Sequence, residues 1–132
     1  MNRDVCGTDI LLGETALLRH LRATIAFKPV EHFHVIYIDS GNKIIEGRTH
    51  WTGSIDQVSL YPREVIFTAL ALGAKGVVLA HNHPSGRLDP SEADVEITRM
   101  IVQGARIFEL SIIDHWIITR REHFSFRRQG LL

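Results

Sequence analysis

Strand-like and helix-like segments alternate along this 132-residue chain, which predicts an α/β fold: a mixed β-sheet flanked by helices. Three stretches carry the prediction. His32-Phe33-His34-Val35-Ile36-Tyr37-Ile38 is alternating and β-branched enough for a central strand, and Gly76-Val77-Val78-Leu79-Ala80 is a short apolar run that reads as a buried one. Behind Pro90, the apolar residues Val95, Ile97, Met100 and Ile101 recur with a helical period.

The elements follow in order. Residues 9–25 have helical spacing, with Leu11, Leu12, Ala16, Leu17, Leu18 and Leu21 forming an apolar face, and Lys28-Pro29 ends the helix. Strands are expected over 32–38 and 43–50, joined by the turn Ser40-Gly41-Asn42, and again near 54–60. Pro62 at the first helical position opens a helix that runs to Leu72 and is closed by Gly73. The buried strand from Gly76 and the helix behind Pro90 come next, then strands near 106–111, 115–119 and 123–126. No internal repeat, linker or low-complexity tract interrupts this order, so residues 1–132 are expected to form one domain large enough to bury a core.

Composition removes several function classes. A hydrophobic content of 45% and a charged content of 23% are ordinary for a soluble globular protein. No apolar run is long enough to span a bilayer, and the start Met1-Asn2-Arg3-Asp4-Val5-Cys6 has no signal-peptide core. Cys6 is the single cysteine and cannot form an internal disulfide, which suits a reducing cytoplasm. A formal net charge of zero argues against strong nonspecific nucleic-acid binding, which depends on neutralising many phosphates. Arg120-Arg121 and Arg127-Arg128 offer a local basic patch at most.

The chemistry concentrates in His81-Asn82-His83-Pro84-Ser85-Gly86 and the Ser91 and Asp94 that follow. Side chains at i and i+2 of a strand share a face, so His81 and His83 point the same way, and Asp94 in the first turn of the next helix faces back toward them. Two neutral imidazoles and a carboxylate suit a borderline-soft divalent ion such as zinc, and three protein ligands leave a position open for water whose pKa zinc lowers to roughly 7. A competing reading applies to Ser91-Glu92-Ala93-Asp94, which also spells a capping box. His32 and His34 form a second His-x-His, but no carboxylate follows them at suitable spacing, so they are expected beneath a helix or at the surface.

His-x-His, ten residues, then Asp, with Ser three residues before that Asp, resembles the metal-binding motif of the JAB/MPN (JAMM) zinc metalloproteases. Tyr61-Pro62-Arg63-Glu64, the run Leu79 to Gly86, Pro90-Ser91 with Asp94, and Ile113-Asp114-His115 narrow the resemblance to the RadC family, long labelled DNA-repair proteins, over about residues 14–132. The resemblance implies a three-layer JAB/MPN architecture, itself similar to the zinc deaminase fold. Deaminase chemistry needs His-x-Glu and a Pro-Cys-x-x-Cys pair, which this chain lacks.

The family pattern also places a glutamate at the start of an upstream strand as the base that takes a proton from the metal's water, and Glu31 fits that position. Glu64 ranks second and Glu46 is a further competitor. The resemblance thus implies Zn2+ on His81, His83 and Asp94, Glu31 as base, Ser91 as a donor to the oxyanion, and hydrolysis of an amide or isopeptide bond in a protein or peptide substrate. Its alternative is a DNA-repair-associated, metal-dependent nuclease or DNA-binding accessory protein, with weak or indirect DNA association. A third class, a non-catalytic interaction domain, is disfavoured because every ligand is kept. Asp114-His115 reads equally well as support for the site and as a turn aspartate beside a packed histidine. Gly53-Ser54 stands where the family usually has Gly-Thr, which keeps a hydroxyl. Many RadC proteins carry a helix-hairpin-helix region ahead of the JAB part; about ten residues precede the first helix here, so a shortened or naturally short form without that module is expected. Substrate identity and oligomeric state leave no signature in the sequence.

Overall fold

In a computed structural model that describes residues 10–53 and 62–132, the chain runs through α1 (Ile10–Leu21), β1 (His32–Ile38), β2 (Ile44–Thr52), α2 (Pro62–Leu72), β3 (Gly76–Asn82), α3 (Glu92–Ile107), β4 (Ser111–Ile118) and β5 (His123–Ser125). The strands form one mixed sheet in the order β2-β1-β3-β4-β5, with β3 and β4 parallel and every other neighbouring pair antiparallel. This is the mixed α/β architecture expected of a JAB/MPN fold. The expected strand near 54–60 and Cys6 lie outside the described residues.

The two faces of the sheet are covered by different helices. Phe33, Val35 and Tyr37 of β1 and Val77 and Leu79 of β3 pack under Val65, Ile66 and Ala69 of α2 and Ile101 and Ala105 of α3. The alternate residues Ile36, Ile38, Val78 and Ala80 meet Leu17, Leu21, Ile25 and Ala26 on the other face. That second set comes from α1 and from Arg22–Ala26, where the helix widens into a π-helical turn. Of the expected face of α1, Leu17 and Leu21 are buried and Leu18 is half-buried, whereas Ala16 is exposed.

Local chemistry sets the boundaries that matter for the site. Pro62 opens α2, and Gly73, at φ +73°, supplies the left-handed residue that ends it. Gly86, at φ +86°, sits in the turn that follows β3, where its N–H donates to the His83 carbonyl at 2.9 Å. Ser91 caps α3: its hydroxyl accepts from the Asp94 N–H at 3.0 Å, while Asp94 Oδ2 accepts from the Ser91 N–H at 2.9 Å. The capping box is therefore real.

The strand expected near 106–111 is corrected. α3 continues through Ile107, and Glu109, at φ +57°, turns the chain so that β4 starts at Ser111 and runs unbroken to Ile118. Ile107 and Phe108 are exposed, so their apolar character reported no buried strand. Within β4 the register against β3 shifts between Val77 and Val78, which skips Ile113. The consequence is a change of facing: Ile112 packs on the α2/α3 side, Trp116 and Ile118 pack on the α1 side, and His115 is turned toward His81.

Candidate metal centre

β3 delivers His81, and the residue just past its end, His83, to the α2/α3 side of the sheet, and the first turn of α3 delivers Asp94 to the same point. His81 Nε2 lies 3.0 Å from His83 Nε2, and Asp94 Oδ2 lies 3.3 Å from the first and 3.2 Å from the second. Glu31, the residue before β1, completes the group: its ligand atom and those of His81, His83 and Asp94 all lie within 4.8 Å of one another. Burial is deep at His81 and Asp94 and partial at His83 and Glu31, so the cluster opens to solvent on one side. Glu46 instead pairs with Arg48 on β2, and Glu64 lines a separate cavity with Arg48, His50 and Arg63.

The hydrogen bonds behind the cluster fix which ring nitrogens carry protons. His83 Nδ1 lies 2.8 Å from the Arg87 carbonyl, which can only accept, so Nδ1 holds the proton and Nε2 presents a lone pair. A longer chain does the same for His81. Thr98 Oγ1 donates to the Asp94 carbonyl at 2.7 Å, so toward His115 Nδ1, at 2.6 Å, it accepts. His115 is then protonated on Nδ1 and accepts on Nε2 from His81 Nδ1–H at 2.7 Å. Burial, the largest cause, pushes the His115 pKa well down and keeps the ring neutral.

Two imidazole lone pairs and a carboxylate oxygen thus point at one spot, with the Glu31 carboxylate beside them. Electron-rich atoms this close need a positive charge among them, either a proton or a cation. The His/Asp donor set fits a borderline-soft divalent ion, and the backing by a carbonyl and by His115 is the kind of support that orients metal-ligating histidines. The field is visible in the titrations. Burial alone would raise the Asp94 carboxyl, but a proton shared with His81 or His83 Nε2 outweighs it and holds the group well below the usual carboxylate range. For His83, burial works downward, yet a proton added at Nε2 would be held by Asp94, with the Arg87 carbonyl and the charges of Asp94 and Glu31 adding to it, and together these raise the ring.

Two contributors, Thr98 and Asn82, have no role in the sequence reading, and a third, His115, is there only one of two alternatives for its pair. Thr98 stands four residues after Asp94 and so on the same face of α3, a spacing that signals contact. His115 depends on the bulge at Ile113, which no periodicity reveals. Asn82, the residue between the two histidines, is fully buried and reaches the chain around Glu31. Asp114 has a structural role: its carboxylate accepts from the N–H groups of His115 and Arg127, from Trp116 Nε1 and from Ser125 Oγ, at 2.6–3.0 Å. By holding that corner it keeps Phe126 stacked on the His115 ring, with centroids 4.3 Å apart.

His32 and His34 do not join the cluster. His34 is buried on the opposite face of β1, bonded through Nδ1 to Thr49 Oγ1 at 2.8 Å, and burial followed by the charge of His20 lowers its pKa to about 4. A cavity of about 310 Å³ opens beside His83, lined by Ser85, Gly86, Thr119, Arg120 and Arg121 among others. Arg120 rests over the exposed Phe27 ring at its rim. No helix among the described residues is long and apolar enough to cross a membrane.

Residues 12–131 match the family model of the RadC-like JAB domain. A UPF0758 protein of Fusobacterium nucleatum is 42% identical over 116 residues, covering 88% of this chain and 50% of its own length. Two Escherichia coli UPF0758 proteins are similar: YkfG at 40% over 117 residues, 89% of this chain and 74% of its own length, and YeeS at 45% over 102 residues, 77% and 69%. The chain spans about half the length of several curated relatives it matches.

Proposed function

Because the chain belongs to the RadC-like JAB domain family, we propose that it is a zinc-dependent hydrolase cutting an amide or isopeptide bond in a protein or peptide, with His81, His83 and Asp94 as ligands. The observation that carries this reading is the convergence of those donors with Glu31, their ring protons turned outward by Arg87 and His115. When bound, zinc supplies Lewis acidity, lowering the pKa of a water at an open position and polarising the substrate carbonyl. Glu31 would act as the general base, holding the proton of the attacking water and delivering it to the leaving nitrogen. Its place at the half-buried edge of the cluster gives it access both to the donors and to an incoming chain.

Ser91 stabilises the oxyanion. Its hydroxyl spends a lone pair on the Asp94 N–H and has its own proton to offer as charge develops on the carbonyl oxygen. The cavity beside His83 gives the substrate an approach, bounded by Arg120 and Arg121. No feature of the site favours the DNA-repair alternative. The described residues bring together donors for a single ion, whereas many nucleases use two, and the formal net charge is zero.

The test sets metal-loaded wild type beside Glu31→Gln, on peptide-linked substrates and on DNA. Cleavage of the amide-linked panel by wild type, lost in a folded, metal-loaded Glu31→Gln, is expected. Glu31-dependent cleavage of DNA with no amide cleavage would overturn the assignment, and undiminished amide turnover in Glu31→Gln would move the base elsewhere.

A further inference from the structure

We propose that Asn82 is the positioning residue for Glu31, tying the base to the same strand that carries the two histidine ligands; this rests on the reading of Glu31 as part of the metal site. The β1/β3 ladder ends with Phe33 opposite His81, because the chain turns away at Pro84. Beyond that end, the Asn82 side chain stands in for a strand. Its Oδ1 accepts from the His32 N–H at 2.6 Å, and its Nδ2 donates to the Val30 carbonyl at 3.0 Å, with a longer reach of 3.5 Å to the Lys28 carbonyl. Those two close bonds grip the residues immediately before and after Glu31. From the other side, the Gly53 N–H donates to the Glu31 carbonyl at 2.8 Å, so three successive residues are held.

The residue type follows from this geometry. Only a side-chain amide carries a donor and an acceptor that can serve a neighbouring strand as a peptide group does. Asn82 is fully buried and alternates with His81 and His83, so it faces away from the ligands while its backbone lies between them. A shift of β3 therefore carries ligands and base together, and the Glu31 carboxylate keeps its place within 4.8 Å of the other donors. Without the clamp, residues 28–31 precede the strand with one less tether, and the place of the carboxylate among the donors is held less firmly.

A metal-affinity cycle tests this without any substrate. Zinc affinity is measured by competition with a chromophoric chelator for wild type, Asn82→Asp, Glu31→Gln and the double variant, with thermal unfolding to check the fold. Asn82→Asp keeps the acceptor for His32 and loses the donor to Val30; Asn82→Ser serves as a second, uncharged variant. Glu31→Gln lowers affinity because a carboxylate charge this near the ion is lost. On the wild-type background Asn82→Ser, which adds no charge, is expected to lower affinity by about tenfold, the low end for residues that support a metal site, while the added carboxylate of Asn82→Asp offsets part of that loss. On the Glu31→Gln background the further loss is expected to be less than about twofold, because Asn82 acts through a carboxylate no longer there. Equal losses on both backgrounds, or no loss on the wild-type one, would overturn the proposal while leaving the metal site standing. Absence of zinc binding by wild type would overturn the site itself.

Discussion

Replacing His115 with phenylalanine isolates what the ring nitrogens do for the metal centre. Phenylalanine keeps the stack on Phe126, at 4.3 Å between centroids, and the edge contact with Phe33 at 5.6 Å, so packing changes little. It removes the acceptor that holds the proton on His81 Nδ1. A buried donor left unsatisfied costs about 1–3 kcal/mol, and His81 relieves that cost by moving its proton to Nε2, where Asp94 Oδ2 accepts it 3.3 Å away. That proton then occupies the nitrogen a metal needs, and binding has to reverse the swap. At about 1.4 kcal/mol per factor of ten, the penalty is roughly 5- to 150-fold in affinity, which brackets the 10- to 100-fold typical of such supporting residues. Competition of the apo-protein against a chromophoric zinc chelator reads this directly. An affinity within about twofold of wild type, in a variant that melts normally, would refute the tautomer chain from Thr98 to His81.

Two further predictions concern the fold that carries the site. His34 titrates near 4 when folded against 6.5 for the free side chain, so between those values the unfolded chain binds more protons and stability falls as pH falls. The 6.5-to-4 difference, at about 1.4 kcal/mol per unit, amounts to about 3 kcal/mol, fully present above about pH 6.5 and gone below about pH 4. Urea unfolding of apo-protein at about pH 7 and pH 4.5 is expected to show a steeper loss in wild type than in His34→Gln; parallel losses would place the acid sensitivity elsewhere. Ser91→Ala removes the acceptor for the Asp94 N–H and is expected to cost about 1 kcal/mol of stability, measured by the same method. An unchanged urea midpoint would mean the cap contributes nothing.

Much of this structure was legible in the sequence because local chemistry and tertiary demand agree there. The alternation of 32–38 matches β1 residue for residue, Pro62 and Gly73 bracket α2, and the capping box of Ser91 and Asp94 starts α3 while aiming the carboxylate at the histidines. Where apolar residues serve no core, the reading slipped. Ile107 and Phe108 suggested a strand, but they are exposed at the end of a helix, and the core position nearby is Leu110. The expected strand from His115 misses the first half of β4, where the bulge at Ile113 breaks the period of two, and the same bulge hides the facing of His115. Asn82 went unread for another reason. Its partners are backbone groups of Val30 and His32, fifty or so positions upstream, and a backbone partner leaves no mark on residue types.

The most direct test is the metal content of the protein. Zinc is added to purified apo-protein, excess is removed by desalting, and bound metal is counted by elemental analysis for wild type and for the His81→Ala/His83→Ala double variant. About one zinc per chain is expected in wild type, as the three-ligand set requires, and none in the double variant. Stoichiometric zinc persisting without the two histidines, or none held with them, would contradict the assignment of His81, His83 and Asp94 as a metal centre.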